Sequence, residues 1–187
     1  MSVITNFFGH IKTVLKHKWQ VFKLCLRAGI PWQGVIHDLS KFSITELKES
    51  IKYYNGKRSP LAVAKEKNGY SLAWLHHIGL NKHHYQYWYD YEAPNPTPKI
   101  PYKYVVEMVC DSLAAGITYR GKEWTKEYQL SYWNRVKERA KISDELRNFL
   151  DEVYSLVANE GIKPVINKKR LNDLYYKHFN SNVNIRK

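Results

Sequence analysis

Apolar residues recur at helical spacing along most of the chain, whereas no long run alternates apolar with polar residues as a half-buried strand does. This pattern predicts an all-α fold. The first helix is predicted from about Val3 to Ala28 and should end at Gly29, since glycine readily adopts the backbone conformation that closes a helix. The segment from Tyr102 to Tyr119 is predicted to be the most apolar helix of the chain.

Proline, glycine and capping residues divide the rest of the chain into shorter helices. The sequence Ser43-Ile-Thr-Glu46 has the spacing of a capping box, which assigns Glu46 to the start of a helix. The prolines between Pro94 and Pro101 predict an extended loop. The other predicted helices span about 31–39, 43–55, 59–68, 71–89 (continuous or broken into a pair), 128–140, 143–158 and 168–179.

The composition is that of a folded globular protein, because 44% of the 187 residues are hydrophobic and 25% are charged. This length predicts a single domain, a helical bundle over residues 1–179. Within it we expect a site-bearing core over about residues 10–120 and C-terminal helices over about residues 121–179. A frayed tail is expected over residues 180–187.

The net charge of +13 indicates an anionic partner or substrate. Residues 1–60 carry ten basic and three acidic side chains, and residues 121–187 carry fourteen and nine, whereas residues 61–120 carry six and five. The basicity therefore lies mainly on the flanks of a nearly neutral centre. A surface that attracts an anion, with nucleic acid as one possible partner of the basic flanks, is one interpretation, and an ordinary solvated surface is the other.

The chain has no segment of about 18 apolar residues free of charge, as a membrane span would require. Cys25 and Cys110 have no spacing typical of a disulfide scaffold or a zinc knuckle. We therefore expect a cytoplasmic protein with no membrane partner. The sequence does not predict the oligomeric state.

Histidine is unusually concentrated, since six of the eight histidines lie between His17 and His84. Imidazole and carboxylate groups together favour a borderline divalent cation or iron over calcium. Each candidate ligand lies on or beside an apolar face of a predicted helix. The candidates are His17, His37, Asp38, His76, His77, His83, His84 and Asp111.

The spacing of these residues suits a metal site. Lys41 follows Asp38 by about one helical turn, so that its ammonium can reach a substrate oxygen. The pairs His76-His77 and His83-His84 are separated by seven residues, so one member of each can share a helix face. Asp111 lies in an apolar helix, where a metal ion would compensate the cost of burying a carboxylate.

Other residues have both a functional and a structural interpretation. Tyr85 and Trp88 belong to an aromatic run that could stack on a nucleobase or pack the end of a bundle. Glu107 could line the same cavity as the ligands, although a solvated position is the simpler interpretation. His10 and His178 lie outside the pattern and are assigned to surface or packing positions.

The order of these residues resembles that of the HD-domain superfamily of metal-dependent phosphohydrolases, over about residues 10–120. The motif His37-Asp38-Leu-Ser-Lys41 carries much of the resemblance, with His17 before it and the histidine pairs and Asp111 after it. More narrowly, the chain is similar to a family of small HD-like proteins with no assigned function. The phrases that carry this similarity are His37-Asp-Leu-Ser-Lys-Phe42, Trp74-Leu-His-His77, Asn81-Lys-His-His-Tyr-Gln-Tyr-Trp88 and Glu107-Met-Val-Cys-Asp111.

The resemblance implies a helical bundle in which His17, His37, Asp38 and Asp111 hold one metal ion. It also implies that the later histidines complete a second metal site, as in the cyclic-dinucleotide phosphodiesterases of the superfamily. One or two divalent ions are therefore the expected cofactors, with Mn, Fe, Mg, Co, Ni and Zn as candidates.

The chemistry expected of such a site is hydrolysis of a nucleotide or another phosphate ester by a metal-activated water. Asp38 and Lys41 are the expected catalytic residues, and Lys41, Tyr85 and Trp88 are the expected substrate contacts. Two rival hypotheses remain. An HD-type di-iron oxygenase uses a similar ligand set, and a non-catalytic nucleic-acid-binding helical protein would account for the charge.

Overall fold

A computed structural model describes residues 2–180, and within them it contains ten α-helices, four short 3₁₀-helices and no strand. The α-helices are α1 (Val3–Arg27), α2 (Pro31–Ile36), α3 (Ile44–Tyr53), α4 (Pro60–Asn68), α5 (Leu72–Leu80), α6 (Tyr102–Arg120), α7 (Tyr128–Val136), α8 (Asp144–Glu160), α9 (Ile162–Val165) and α10 (Lys168–Phe179). The 3₁₀-helices are Leu39–Phe42, Tyr85–Trp88, Gly121–Glu123 and Lys137–Arg139. The all-α prediction is confirmed. Residues 181–187, most of the predicted tail, lie outside the described residues.

Helix starts follow the capping residues in the sequence. The Ser43 hydroxyl accepts a hydrogen bond from the Glu46 amide at 3.3 Å and so caps α3. In the same way the Ser71 hydroxyl accepts from the Trp74 amide at 3.0 Å and caps α5. The helix α4 ends at Gly69, whose φ of 82° closes the last turn.

The helix α6 is the centre of the hydrophobic core. It packs along α1 on one side, and α7 and α10 contact it elsewhere. Several of its apolar side chains, among them Val105, Val109 and Leu113, are fully buried. Burying a side chain of this size contributes about 1.5–3 kcal/mol to stability. This packing fixes α6, and with it Glu107 and Asp111, against the inner face of α1.

The short helix α2 lies unusually close to α1. A Cβ atom at Gly34 would lie only 2.8 Å from the Cα of Phe22, so glycine is required for this approach. The Lys18 ammonium donates to the carbonyls of Val35 and His37, at 2.6 Å each, and satisfies the end of α2. For this reason α2 ends at Ile36 rather than continuing to Leu39 as predicted.

The predicted helix over residues 71–89 is broken, and α5 ends at Leu80. The side chain and the backbone N–H of Asn81 both donate to the His77 carbonyl, at 2.8 and 3.1 Å, where the helix ends. The prediction that one member of each histidine pair shares a helix face is therefore wrong, because His83 and His84 follow α5 in a turn. Among the described residues, no helix combines the length and apolar character needed to cross a bilayer.

Candidate metal centre

The backbone at Asp38 has a left-handed conformation, with φ of 53° and ψ of 30°. Within residues 2–180, Asp38 is the one non-glycine residue with a positive φ. This conformation costs an L-residue roughly 1–2 kcal/mol, although aspartate tolerates it better than most. It places Asp38 between the end of α2 and the 3₁₀-helix at Leu39–Phe42, where its side chain is 2% exposed. Strain of this kind is typical of functional positions.

A first group of potential ligands surrounds one oxygen of Asp38. The group consists of His17, His37, Asp38 and Asp111, and its ligand atoms all lie within 4.8 Å of one another. Asp38 Oδ2 lies 3.2 Å from His37 Nε2 and 3.8 Å from His17 Nε2. Asp111 Oδ1 lies 3.0 Å from His17 Nε2 and 3.4 Å from His37 Nε2. The helices α1 and α6 and the end of α2 thus each contribute to one cluster.

A second group surrounds the other oxygen of Asp38. It consists of Asp38, His77, His83 and His84, again with ligand atoms within 4.8 Å of one another. Asp38 Oδ1 lies 3.2 Å from His77 Nε2 and 3.4 Å from His83 Nε2. The Nε2 atoms of His83 and His84 are buried and make no hydrogen bond within the described part of the chain. Burying such atoms without a partner is costly, so a metal ion fits these residues.

Asp38 is common to both groups, and each of its carboxylate oxygens faces a different group. A carboxylate in this position can bridge two neighbouring cations. Each group offers four oxygen and nitrogen ligands, which suits Zn²⁺, Mn²⁺ or iron.

Glu107, on α6, contacts one histidine of each group at Nδ1, the ring nitrogen that does not face Asp38. The His37 Nδ1 atom donates to Glu107 Oε1 at 3.0 Å, and His83 Nδ1 lies 3.1 Å from the same oxygen. The Gln33 side chain donates to the other oxygen at 2.7 Å. Glu107 is 3% exposed, so the solvated position favoured from the sequence is wrong. A carboxylate behind a ligating imidazole fixes its tautomer and its orientation.

Glu46, on α3, holds the first histidine pair in a similar way. His77 Nδ1 donates to Glu46 Oε2 and His76 Nδ1 donates to Glu46 Oε1, both at 2.9 Å. The amide of Glu46 is part of the cap, but its side chain belongs to the histidine cluster. The position of Glu46 at the start of the helix is confirmed, and its side chain has a second role that the capping box does not predict.

Lys41 is the cation next to the shared carboxylate, with its Nζ 2.5 Å from Asp38 Oδ2. Burial lowers the pKa of Lys41, but the carboxylates of Asp38 and Asp111 raise it more, so that the pKa stands above its ordinary value. Lys41 is therefore a permanent cation beside both groups.

The protonation states of several buried groups suit metal binding. Burial and the nearby His83 hold the pKa of His84 well below its ordinary value, which leaves a neutral imidazole. Burial raises the pKa of Glu107, but hydrogen bonds from His37 and His83 lower it more, to about 2. Burial also raises the pKa of Asp38, but His37 and Lys41 hold it well below its usual range. Neutral imidazoles and ionised carboxylates are the forms that bind metal ions. Burial lowers the pKa values of His37 and His77, but Asp38 raises them more, so these two imidazoles release a proton when a metal ion binds.

Three of the residues predicted for the site lie outside both groups. His76 is half-buried and contacts Glu46 rather than Asp38. Tyr85 and Trp88 pack against the hydrophobic core and line a small cavity with Ile100, where Trp88 also donates to a backbone carbonyl. Their placement favours the packing interpretation of this aromatic run.

His10 and His178 are both structural in this fold. His10 lies two turns before His17 on the inner face of α1, where it is 5% exposed and contacts the ring of Tyr54. His178 contacts the Glu152 carboxylate on α8. The assignment of these two histidines to surface or packing positions agrees with this placement.

Comparison with protein families gives one match. A model described as a family of unknown function, DUF5662, matches residues 6–156. The chain belongs to DUF5662. The matched range contains both ligand groups, together with Glu46 and Glu107. No curated protein and no solved structure matches the chain.

In this DUF5662 member, the sequence predicted the ligand candidates, but it favoured a solvated position for Glu107 and only a capping role for Glu46. Glu107 lies four positions before Asp111 on α6, which places both on one face, and that spacing is the signal for a shared cavity. Glu46 carried no such signal, because its partners on α5 are about thirty residues away in the chain.

Proposed function

We propose that this protein is a metal-dependent phosphohydrolase that acts on a nucleotide or another phosphate ester. The observation that carries the proposal is the position of Asp38, whose two oxygens face two different groups of ligands while Lys41 contacts it. Two adjacent cations and a fixed ammonium form a strongly positive site, which suits a phosphate better than a neutral substrate.

The ligand assignment follows from the two groups. His17, His37, Asp38 and Asp111 would hold one divalent ion, and Asp38 with His77, His83 and His84 would hold a second. When bound, these ions supply Lewis-acid chemistry and make water a nucleophile at neutral pH.

The side chains of the protein perform the remaining tasks. Asp38 keeps both halves of the site at a fixed separation, since it belongs to each of them. Lys41 binds a phosphoryl oxygen of the substrate and neutralises the charge that develops there. Glu46 and Glu107 are positioning residues, because they touch the histidines and not the substrate.

The resemblance to HD-domain phosphohydrolases supports the same assignment. The residues that carry the resemblance from the sequence, His17, His37-Asp38 and Asp111, belong to one group in space although they come from three separate segments. The basic flanks of the chain favour encounter with an anionic substrate.

The test combines elemental analysis with an activity screen. The purified protein is analysed for bound metal and assayed on nucleotides, a generic phosphomonoester and a generic phosphodiester with Mn, Fe, Mg, Co, Ni or Zn. We expect bound metal and hydrolysis that Asp38→Asn abolishes, whereas Asp173→Asn, at an exposed position on α10, leaves both unchanged.

Lys41 separates catalysis from metal binding. Lys41→Gln should lower kcat by about 10²- to 10³-fold while the metal content is retained. The matched control is Lys48→Gln, at an exposed position on α3. A protein without metal or activity under every condition would refute the proposal. Iron with a requirement for dioxygen would favour the oxygenase, and nucleic-acid binding that survives His37→Ala without turnover would favour the non-catalytic binder.

A further inference from the structure

The helix α1 has two apolar faces, and the second one points away from the protein. Its inner face contributes His17, Val21 and other buried residues to the site and the core. On its outer face, Phe8, Leu15, Trp19 and Leu26 are 65%, 53%, 56% and 56% exposed. These four residues follow at intervals of seven, four and seven, so they form one stripe along the helix.

The helix α2 extends this exposed stripe sideways. It crosses α1 at Phe22, whose ring stacks on that of Trp19 with centroids 5.6 Å apart. Trp32, Val35 and Ile36 lie on the outward face of α2 and are 66%, 46% and 38% exposed. We call this combined surface, made by the stripe on α1 and these three residues of α2, the α1–α2 face.

The α1–α2 face is flanked by basic side chains along α1. Residues 1–37 contain five lysine and arginine residues and no aspartate or glutamate. Four of the basic residues, Lys12, Lys16, Lys23 and Arg27, are exposed on α1 beside the apolar stripe. The Lys23 ammonium lies 5.9 Å from the centre of the Trp19 ring.

We propose that the α1–α2 face docks on the surface of an anionic lipid bilayer. Exposed tryptophan and phenylalanine side chains insert at the boundary between headgroups and acyl chains, and flanking lysines bind the anionic headgroups. The helix lies in the plane of the interface, so no membrane-spanning segment is needed. We expected no membrane partner because the sequence has no membrane-spanning segment. That argument does not apply to a helix that binds at the bilayer surface.

Other occupants fit the α1–α2 face less well. A second copy of the chain related by twofold symmetry would bring the same basic side chains together, and like charges repel. Nucleic acid would satisfy the lysines but would leave the aliphatic side chains of Leu15, Leu26 and Ile36 without partners. A bilayer satisfies both the charge and the apolar surface.

The test is co-sedimentation of the full-length protein with vesicles. We expect binding to vesicles that contain phosphatidylserine, weaker binding to phosphatidylcholine alone, and loss of binding as salt is raised. The double variant Leu15→Glu with Trp19→Glu should reduce binding to the anionic vesicles by about tenfold or more. The control is Tyr176→Glu, which changes a 53% exposed aromatic residue on α10 and should bind as the parent does.

Charge is tested separately. Lys12→Glu with Lys23→Glu should weaken binding, whereas Lys122→Glu with Lys141→Glu, at exposed positions on neither α1 nor α2, should not. All these positions are exposed, so we expect each variant to fold. Circular dichroism and thermal unfolding of each variant test this. Equal loss of binding for both pairs would overturn the proposal.

Three further results would also overturn it. The first is that the protein binds neither kind of vesicle. The second is that the parent is a dimer and the Leu15→Glu with Trp19→Glu variant is a monomer. The third is that this face binds an oligonucleotide but no vesicle. Metal content and hydrolysis are independent of all these measurements, so the proposed function can fail while this inference stands, and the reverse.

Discussion

The Oε1 atom of Glu107 accepts a hydrogen bond from Nδ1 of His37 at 3.0 Å, and this contact turns the other ring nitrogen toward Asp38 and Asp111. His83 Nδ1 lies 3.1 Å from the same oxygen. One buried carboxylate therefore orients a histidine in each ligand group.

Glu107→Gln should weaken metal binding without removing a ligand. An amide cannot match a carboxylate as acceptor for two imidazoles, so we expect a loss of about 10- to 100-fold in metal affinity. The affinity is measured by competition with a chromogenic chelator. The control is Glu138→Gln, at an exposed position, and equal affinities in the two variants would contradict the positioning role.

Glu46 and Ser43 allow the cap and the histidine contacts to be separated. Ser43→Ala removes the side-chain cap of α3 and should lower the free energy of unfolding by about 1 kcal/mol, with unchanged metal affinity. Glu46→Gln keeps the cap, since the backbone amide donates to Ser43, but should lower metal affinity through His77. Urea unfolding and metal titration of both variants test this division. Unchanged metal affinity in Glu46→Gln would leave Glu46 as a capping residue only.

The left-handed backbone at Asp38 makes a prediction about stability. Asp38→Asn and Asp38→Ala both remove the carboxylate charge, but asparagine tolerates a positive φ better than alanine. In the absence of metal, Asp38→Ala should therefore be less stable than Asp38→Asn by about 1 kcal/mol. Urea unfolding in a chelator measures the difference. Equal stabilities would show that the backbone at this position relaxes after substitution.

His10 should make the protein less stable in mild acid. Burial, with a contribution from Lys41, lowers the pKa of His10 to about 4, whereas the unfolded chain has an ordinary value of 6.5. Between these two pH values the unfolded state binds the extra proton. Stability is therefore full above the unfolded pKa and falls by up to about 1.4 kcal/mol per pH unit as the pH decreases toward 4.

His10→Leu removes this titrating group. The free energy of unfolding of His10→Leu should decline less between neutral pH and pH 5 than that of the parent, as measured by urea unfolding in a chelator. The pH dependence of other groups is common to both proteins and cancels in the comparison. An identical decline in the two proteins would contradict the burial of a neutral His10.

Several local features could be predicted from the sequence because their physical cause is local. The helix α4 begins after Ser59 and ends at Gly69, as the capping residues indicate. The ligand candidates were also recognisable, because histidine and aspartate are the residue types that bind such metals and they interrupt apolar helix faces.

Other features depend on contacts between distant segments. The end of α2 is determined by Lys18, which lies on α1 and donates to the carbonyls of Val35 and His37. The apolar pattern of one segment contains no information about a side chain that contacts it from a distant segment. For the same reason Glu46 could not be linked to His76 and His77.

The sequence by itself determined the helical class, most helix ends and the chemical nature of the candidate site, because residue type and local spacing are sufficient for these. Only the tertiary structure decided that His83 and His84 leave the helix and still face Asp38, and that Glu107 and Glu46 hold the histidines from behind. It also decided which apolar face of α1 is buried. Both faces have helical spacing in the sequence, and the choice between them depends on which one α6 covers.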